Sequence, residues 1–130
     1  MYWKHYIALE EKFLETTKYV EVSEDNFNTY SIEFSTQLQS ICSEIDVVLK
    51  ELCKVIDSNK NPKDINGYAR IILSNNGDLK DIKVKDIINS GLELIPLNEW
   101  NINIDSAGNE NIINPSWWRS YNKVKHQRTI

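Results

Sequence analysis

The chain has 130 residues, of which 41% are hydrophobic and 26% are charged, and its formal net charge at pH 7 is −4. This length and composition predict a single domain, residues 1–130, with one modest core. No apolar run approaches the roughly 18–20 residues that span a bilayer, and the N-terminal residues lack the apolar segment of a signal peptide. We therefore expect a cytoplasmic protein that does not enter a membrane, and the net acidity argues against a general nucleic-acid coat.

The residue types that form disulfide frameworks and metal sites are few. Cys42 and Cys53 are eleven residues apart on one expected helix, so about 16 Å of rise separates them, too far for a disulfide bond. Two buried thiols are the interpretation we favour. With two histidines and no Cys-x-x-Cys pair, the sequence predicts neither a metal site nor a cofactor.

The first half of the chain predicts a pair of antiparallel helices. Residues 2–20 carry apolar side chains at helical spacing, and the polar segment 22–28 then interrupts the pattern. Residues 29–57 form the clearest helix, whose apolar seam predicts packing against other helices: Phe34, Leu38, Ile41, Ile45, Val48, Leu52 and Ile56. A long helix beside a shorter antiparallel one is typical of a helical bundle.

The second half mixes a short helix with extended segments. Pro62 and Asp64 suit the start of a third helix that runs through Leu73, and residues 75–77 form a turn. Residues 81–87, 92–97 and 101–104 alternate apolar and polar positions as brief strands or extended loops, with Pro96 placing its segment at an edge. We interpret residues 75–114 as an insertion of loops and short strands between helices.

The last sixteen residues, 115–130, predict a final helix with a basic face. Arg119 and His126 are seven residues apart and share one side of the helix, with Asn122 and Lys123 between them. Trp117, Tyr121 and Val124 lie opposite, where they would pack into a core. From Pro115 onward the chain has no acidic residue, and its cations predict an anion site: Arg119, Lys123, Lys125, His126 and Arg128. The competing interpretation is a solvated face that favours the helix dipole.

The segment Arg119-Ser-Tyr-Asn-Lys-Val-Lys-His126 resembles the Arg-(four to six residues)-His motif of HEPN domains. Further segments resemble bacterial and phage proteins of unassigned function that end in the same Trp-Trp…Tyr-Asn-Lys-Val-Lys-His block: Tyr6-Ile-Ala-Leu-Glu10, Tyr19-Val20, Asn28-Thr-Tyr-Ser31 and Ile41-Cys-Ser-Glu-Ile-Asp46. The resemblance implies a mainly α, antiparallel HEPN-like bundle that forms a homodimer. Many HEPN domains are metal-independent endoribonucleases of toxin–antitoxin, abortive-infection and CRISPR systems, so it also implies action on RNA.

Under this resemblance, Arg119 would neutralise the scissile phosphate, and His126 would act as general acid and base for attack by the ribose 2′-hydroxyl. These residue types suit that chemistry, because arginine offers a planar fork to phosphate oxygens and histidine titrates near neutral pH. The sequence departs from the family at Ser120, where Asn, Asp or His is commoner. It also ends four residues beyond His126, where the family has another long helix. Either the chain given is truncated, a partner supplies that helix, or the protein is a shortened and inactive relative.

Other residues have a functional and an ordinary interpretation. Asn122 would orient His126 or contact RNA, and Lys123, Lys125 and Arg128 would hold phosphates, but all four also suit a plain surface. Trp118 and Tyr121 would stack on bases or pack in the core. Glu44 or Asp46 would orient the catalytic pair, or Asp46 would pair with Lys50. The alternative function is a non-catalytic helical module that binds a partner protein, such as an antitoxin, or a nucleotide, with a structural phage protein as a third hypothesis.

Overall fold

The computed structural model describes residues 2–26, 31–87 and 91–127. Within them lie four α-helices: α1 (Tyr2–Thr16), α2 (Ile32–Ile56), α3 (Ile65–Asn75) and α4 (Ser116–Gln127). Four short strands form two separate antiparallel pairs: β1 (Val84–Lys85) with β2 (Glu93–Leu94), and β3 (Asn101–Ile104) with β4 (Glu110–Ile113). The prediction of a mainly α protein with short strands between its helices is confirmed.

Local hydrogen bonds explain where the helices begin and end. Ser31 caps α2, because its hydroxyl oxygen accepts from the amide of Phe34 at 3.0 Å. Asp64 caps α3 in the same way through Gly67, at 2.8 Å. α1 ends four residues earlier than predicted, and the Thr16 and Thr17 hydroxyls there donate to carbonyls three residues back. Such side chains compete with helical hydrogen bonding and favour a turn.

The core lies on the side of α2 that faces α3 and α4. Its buried row on α2 includes Cys42, Leu49 and Cys53, and these thiols are free, as predicted. Burial raises the pKa of Cys42 to about 12 and also raises the pKa of Cys53. Part of the predicted α2 seam packs against this core: Leu38, Ile45, Leu52 and Ile56.

Several residues of the segment 75–114 pack in the core, so the segment is more than an insertion between helices. Trp100, which immediately precedes β3, is completely buried together with Tyr68 and Ile72 of α3. β3 contacts α3, and Ile102 and Ile112 pack against the core from the β3–β4 hairpin. The hairpin turn is closed by Asp105, whose carboxylate accepts from backbone amides of residues 107 and 109. The β4 strand itself was absent from the predicted elements.

α1 stands apart from this arrangement. It contacts α2, yet none of its residues is buried among those that the structure describes. Several of its large apolar side chains are instead exposed, among them Trp3 at 70% and Tyr6 at 49%. Within the described residues, no helix combines the length and apolar character that crossing a bilayer requires.

Candidate nucleic-acid interface on the last helix

Two buried aromatic rings fix α4 to the core. Trp118 and Tyr121 are 5% and 8% exposed, and their ring centroids lie 5.1 Å apart in an edge-to-face arrangement. Trp117, which we expected on the buried side, is only half-buried, and its indole N–H donates to the Pro96 carbonyl at 2.7 Å. The burial of Trp118 and Tyr121 favours the packing interpretation over base stacking.

The opposite side of α4 carries the expected polar residues. Arg119, Ser120, Lys123 and His126 are exposed there, and Asn122 is half-buried. Lys125 is also exposed, but helical geometry puts it on the side of Trp118 and Tyr121. α4 contains no acidic residue, so its surface presents a run of positive charge. Lys125 Nζ lies 5.6 Å from the centre of the Tyr121 ring, within cation–π range. Arg128, the remaining cation of the predicted site, lies outside the described residues.

Arg119 already has two partners at the N-terminal end of α4. Its Nη1 donates to the Asn114 carbonyl at 3.1 Å, and its Nη2 lies 3.6 Å from Glu99 Oε2. The guanidinium is thus held towards the first turn of the helix, whereas His126 belongs to the last turn. About 10 Å of helical rise separates the two residues.

Glu99 organises this end of the helix, and sequence reasoning missed it. Its Oε1 accepts from the backbone amide of Ser116 at 3.2 Å, so the carboxylate caps the first turn of α4 while it pairs with Arg119. The pKa of Glu99 is lowered, first by hydrogen bonding from Ser116 and then by the charge of Arg119. Seventeen residues separate Glu99 from Ser116 along the chain, so no local pattern indicates the contact.

The two acids of α2 proposed as supporting residues have other surroundings. Asp46 Oδ1 accepts from the Tyr68 hydroxyl at 2.9 Å, which ties α2 to α3. The hydrogen-bond partner of Asp46 in the structure is thus Tyr68, whereas the expected partner was Lys50. Glu44 lines a groove between α1 and α2. These contacts give both acids roles away from Arg119.

No group of three or more His, Cys, Asp or Glu side chains within residues 2–26, 31–87 and 91–127 is arranged to hold a metal ion. Searches of protein-family models, curated proteins and solved structures found no match to this chain. The HEPN assignment therefore stays a prediction, which rests on the residues of α4 and on its resemblance.

Proposed function

We propose that α4 binds the sugar–phosphate backbone of RNA, and that the chain acts on RNA as a HEPN-like protein of bacterial or phage defence. The observation that carries this proposal is the exposed cationic side of α4, which lacks any acidic residue and is held by buried Trp118 and Tyr121. Such a surface attracts phosphates without requiring a cavity, because each contact releases counterions from the nucleic acid. Lys123 is exposed on this side, and Asn122 beside it would donate to phosphate or ribose oxygens.

The more specific form of the proposal is endoribonuclease activity. His126 would accept the proton of a ribose 2′-hydroxyl, whose oxygen then bonds to the adjacent phosphorus. The bond between phosphorus and the 5′-oxygen breaks, and that oxygen takes a proton from the imidazolium of His126, which leaves a 2′,3′-cyclic phosphate and a 5′-hydroxyl end. Arg119 would neutralise the phosphate oxygens, after its guanidinium exchanges Glu99 for the phosphate. A homodimer that brings two α4 helices together would place two such pairs in one cleft.

RNA binding and cleavage are tested with a fluorescent single-stranded RNA and variants of the two central residues. We expect Arg119→Ala to weaken binding and reduce cleavage, and His126→Ala to reduce cleavage by about 100-fold or more while binding changes little. Each has a matched control. Arg70 forms a 2.8 Å ion pair with Glu110 and is 53% exposed, close to the 57% of Arg119. His5 is the other exposed histidine.

Each outcome separates one part of the proposal from another. If Arg70→Ala and His5→Ala are as damaging as the α4 variants, the site is misplaced. Unchanged cleavage in His126→Ala would remove the catalytic assignment but leave RNA binding standing. Failure of the unaltered protein to bind RNA even at low salt would end the RNA proposal altogether, because the electrostatic contribution is then strongest.

A further inference from the structure

An open apolar groove of about 600 Å³ lies between α1 and α2. Large side chains form its walls, including Trp3 and Tyr6, whose stacked rings lie 5.3 Å apart, and Val48 of α2. Trp3 is 70% exposed and Val48 is 45% exposed, although both are apolar. Contiguous exposed apolar surface of this kind is typical of interaction sites. We call this surface the α1–α2 groove.

Two carboxylates lie in the otherwise apolar α1–α2 groove. Glu10 and Glu44 both line it, one from each helix. Glu44 Oε1 is inaccessible to solvent and has no hydrogen-bond partner among the described residues. Glu10 accepts from the Tyr6 hydroxyl at 2.7 Å, which holds this carboxylate beside the aromatic wall. No Lys, Arg or His among the described residues lines the groove, so its two carboxylates lie there without a cationic donor.

The cations of α1 do not supply that donor. At 100° per residue, Glu10 lies in the middle of the apolar face of α1, whereas Lys4 and Lys12 lie on the other side. Lys12 instead pairs with Glu33, its Nζ 3.6 Å from the carboxylate. A second copy of the chain that docked its own α1 face here would bring another Glu10 against the same carboxylates. Like charges in a partly desolvated contact are repulsive, so charge complementarity disfavours self-association through this surface.

We propose that the α1–α2 groove binds an amphipathic helix of a protein partner, whose apolar face carries one Lys or Arg that pairs with the exposed Glu10, while the charge of Glu44 in the same groove adds to the attraction. A helix fits because the groove is bordered by two helices, and a third helix can lay its apolar residues between their ridges. The groove runs along α1 from Tyr2 to Phe13, about three turns, which accommodates side chains at positions i, i+3 or i+4, and i+7. This surface is separate from α4, so the proposal does not depend on RNA binding.

The test is a selection from a displayed library of amphipathic helical peptides with randomised apolar positions, carried out against the full chain. We expect the enriched peptides to carry Lys or Arg at one position of the apolar face. A selected peptide and its Lys→norleucine derivative are then compared by fluorescence anisotropy. The derivative should bind about tenfold more weakly, as expected for a partly desolvated charge pair. This difference should disappear in the Glu10→Gln/Glu44→Gln variant, which preserves side-chain size.

A second pair of variants locates the binding surface. Val48→Glu places a charge in the groove and should abolish binding, whereas Val55→Glu should leave it unchanged, because Val55 is 84% exposed on the same helix but does not line the groove. If Val48→Glu does not fold, the comparison between the selected peptide and its norleucine derivative still tests the proposal. The proposal is overturned if no peptide saturates the protein, if the norleucine derivative binds equally well, or if Val55→Glu is equally damaging. A dimeric protein that Val48→Glu converts to a monomer would assign the groove to a second copy and would also overturn it.

Discussion

Replacing Glu99 by glutamine should strengthen RNA binding by α4. Glu99 holds the Arg119 guanidinium through a 3.6 Å contact, and a phosphate must compete with this carboxylate for the same cation. Glutamine removes the charge but keeps an oxygen that accepts from the Ser116 amide, so the first turn of α4 retains its cap. The substitution therefore isolates the ion pair from the helix cap.

The size of the effect follows from the exposure of the pair. Arg119 and Glu99 side chains are 57% and 43% exposed, and ion pairs in such surroundings contribute about 0.2–1 kcal/mol. Releasing Arg119 should thus raise RNA affinity by roughly 1.5- to 5-fold. The gain should shrink as salt increases, because the Debye length is about 10 Å at 0.1 M. If Arg119 gains a phosphate contact, the slope of log affinity against log salt should steepen by about 0.7 for a single strand.

Fluorescence anisotropy with a labelled single-stranded RNA at several salt concentrations measures both quantities. Glu110→Gln is the matched control, because it releases Arg70 from a 2.8 Å ion pair away from α4, and it should leave affinity unchanged. In an Arg119→Ala background, Glu99→Gln should give a smaller gain, since the released cation is then absent. A Glu99→Gln variant that binds RNA no better than the parent, or no better than Glu110→Gln, would refute the competition.

Three further predictions concern stability. Tyr68→Phe removes the donor to Asp46 from a fully buried ring and should cost about 1–3 kcal/mol in urea unfolding; an unchanged midpoint would mean that the bond contributes nothing. Gly67→Ala would place a Cβ 2.9 Å from Pro62 Cβ, so Tm should fall, although alanine ordinarily stabilises a helix. An increase in Tm would show that the loop at Pro62 shifts to make room for the methyl group. Burial raises the pKa of Cys42 from 9.0 to about 12. The stability that this thiol contributes is therefore fully present below pH 9. It declines above pH 9, because the unfolded chain loses the thiol proton at a lower pH than the folded protein does. We expect this thiol to contribute a loss of about 1–2 kcal/mol from pH 9 to 11, which Cys42→Ala removes, while Cys53, whose pKa is also raised by burial, retains part of the decline.

The helices could be predicted because their signals are local. The helix start at Asp64 and the apolar spacing within α2 and α4 are signals that act over a few residues, and the structure places helices there. The cap at Ser31 was not predicted, since the helix was expected to begin at residue 29. The deepest side of α2 was harder to identify. The predicted seam included Val48, which is 45% exposed. Cys42 and Cys53 lie outside that seam, and their burial, which is confirmed, was predicted from their residue type, because cysteine packs as a small apolar side chain.

The contacts that define the candidate site are long-range and leave no pattern in the sequence. Trp100 continues the alternation of apolar and polar residues in 101–104, but this alternation does not distinguish Trp100, which is completely buried, from Ile104, which is 70% exposed. Because Trp100 is part of the core, the adjacent Glu99 lies beside the first turn of α4, where its carboxylate contacts Ser116 and Arg119. The sequence showed that α4 has cations, but the partner of Arg119 depends on how the hairpin segment folds back.

Stability should be distributed unevenly, with α1 the least protected helix. A 15-residue helix is marginal on its own, and α1 adds no buried residue to compensate, whereas α3 has five buried residues. Amide hydrogen exchange should therefore be about 100-fold faster in α1 than at Cys53 of α2 or Ile72 of α3, because local opening of α1 leaves the core intact. A peptide bound in the α1–α2 groove would bury Trp3 and should slow exchange in α1 alone. Equal protection of α1 and the core would show that the helix unfolds only with the whole protein, and that the groove needs no partner to hold its shape.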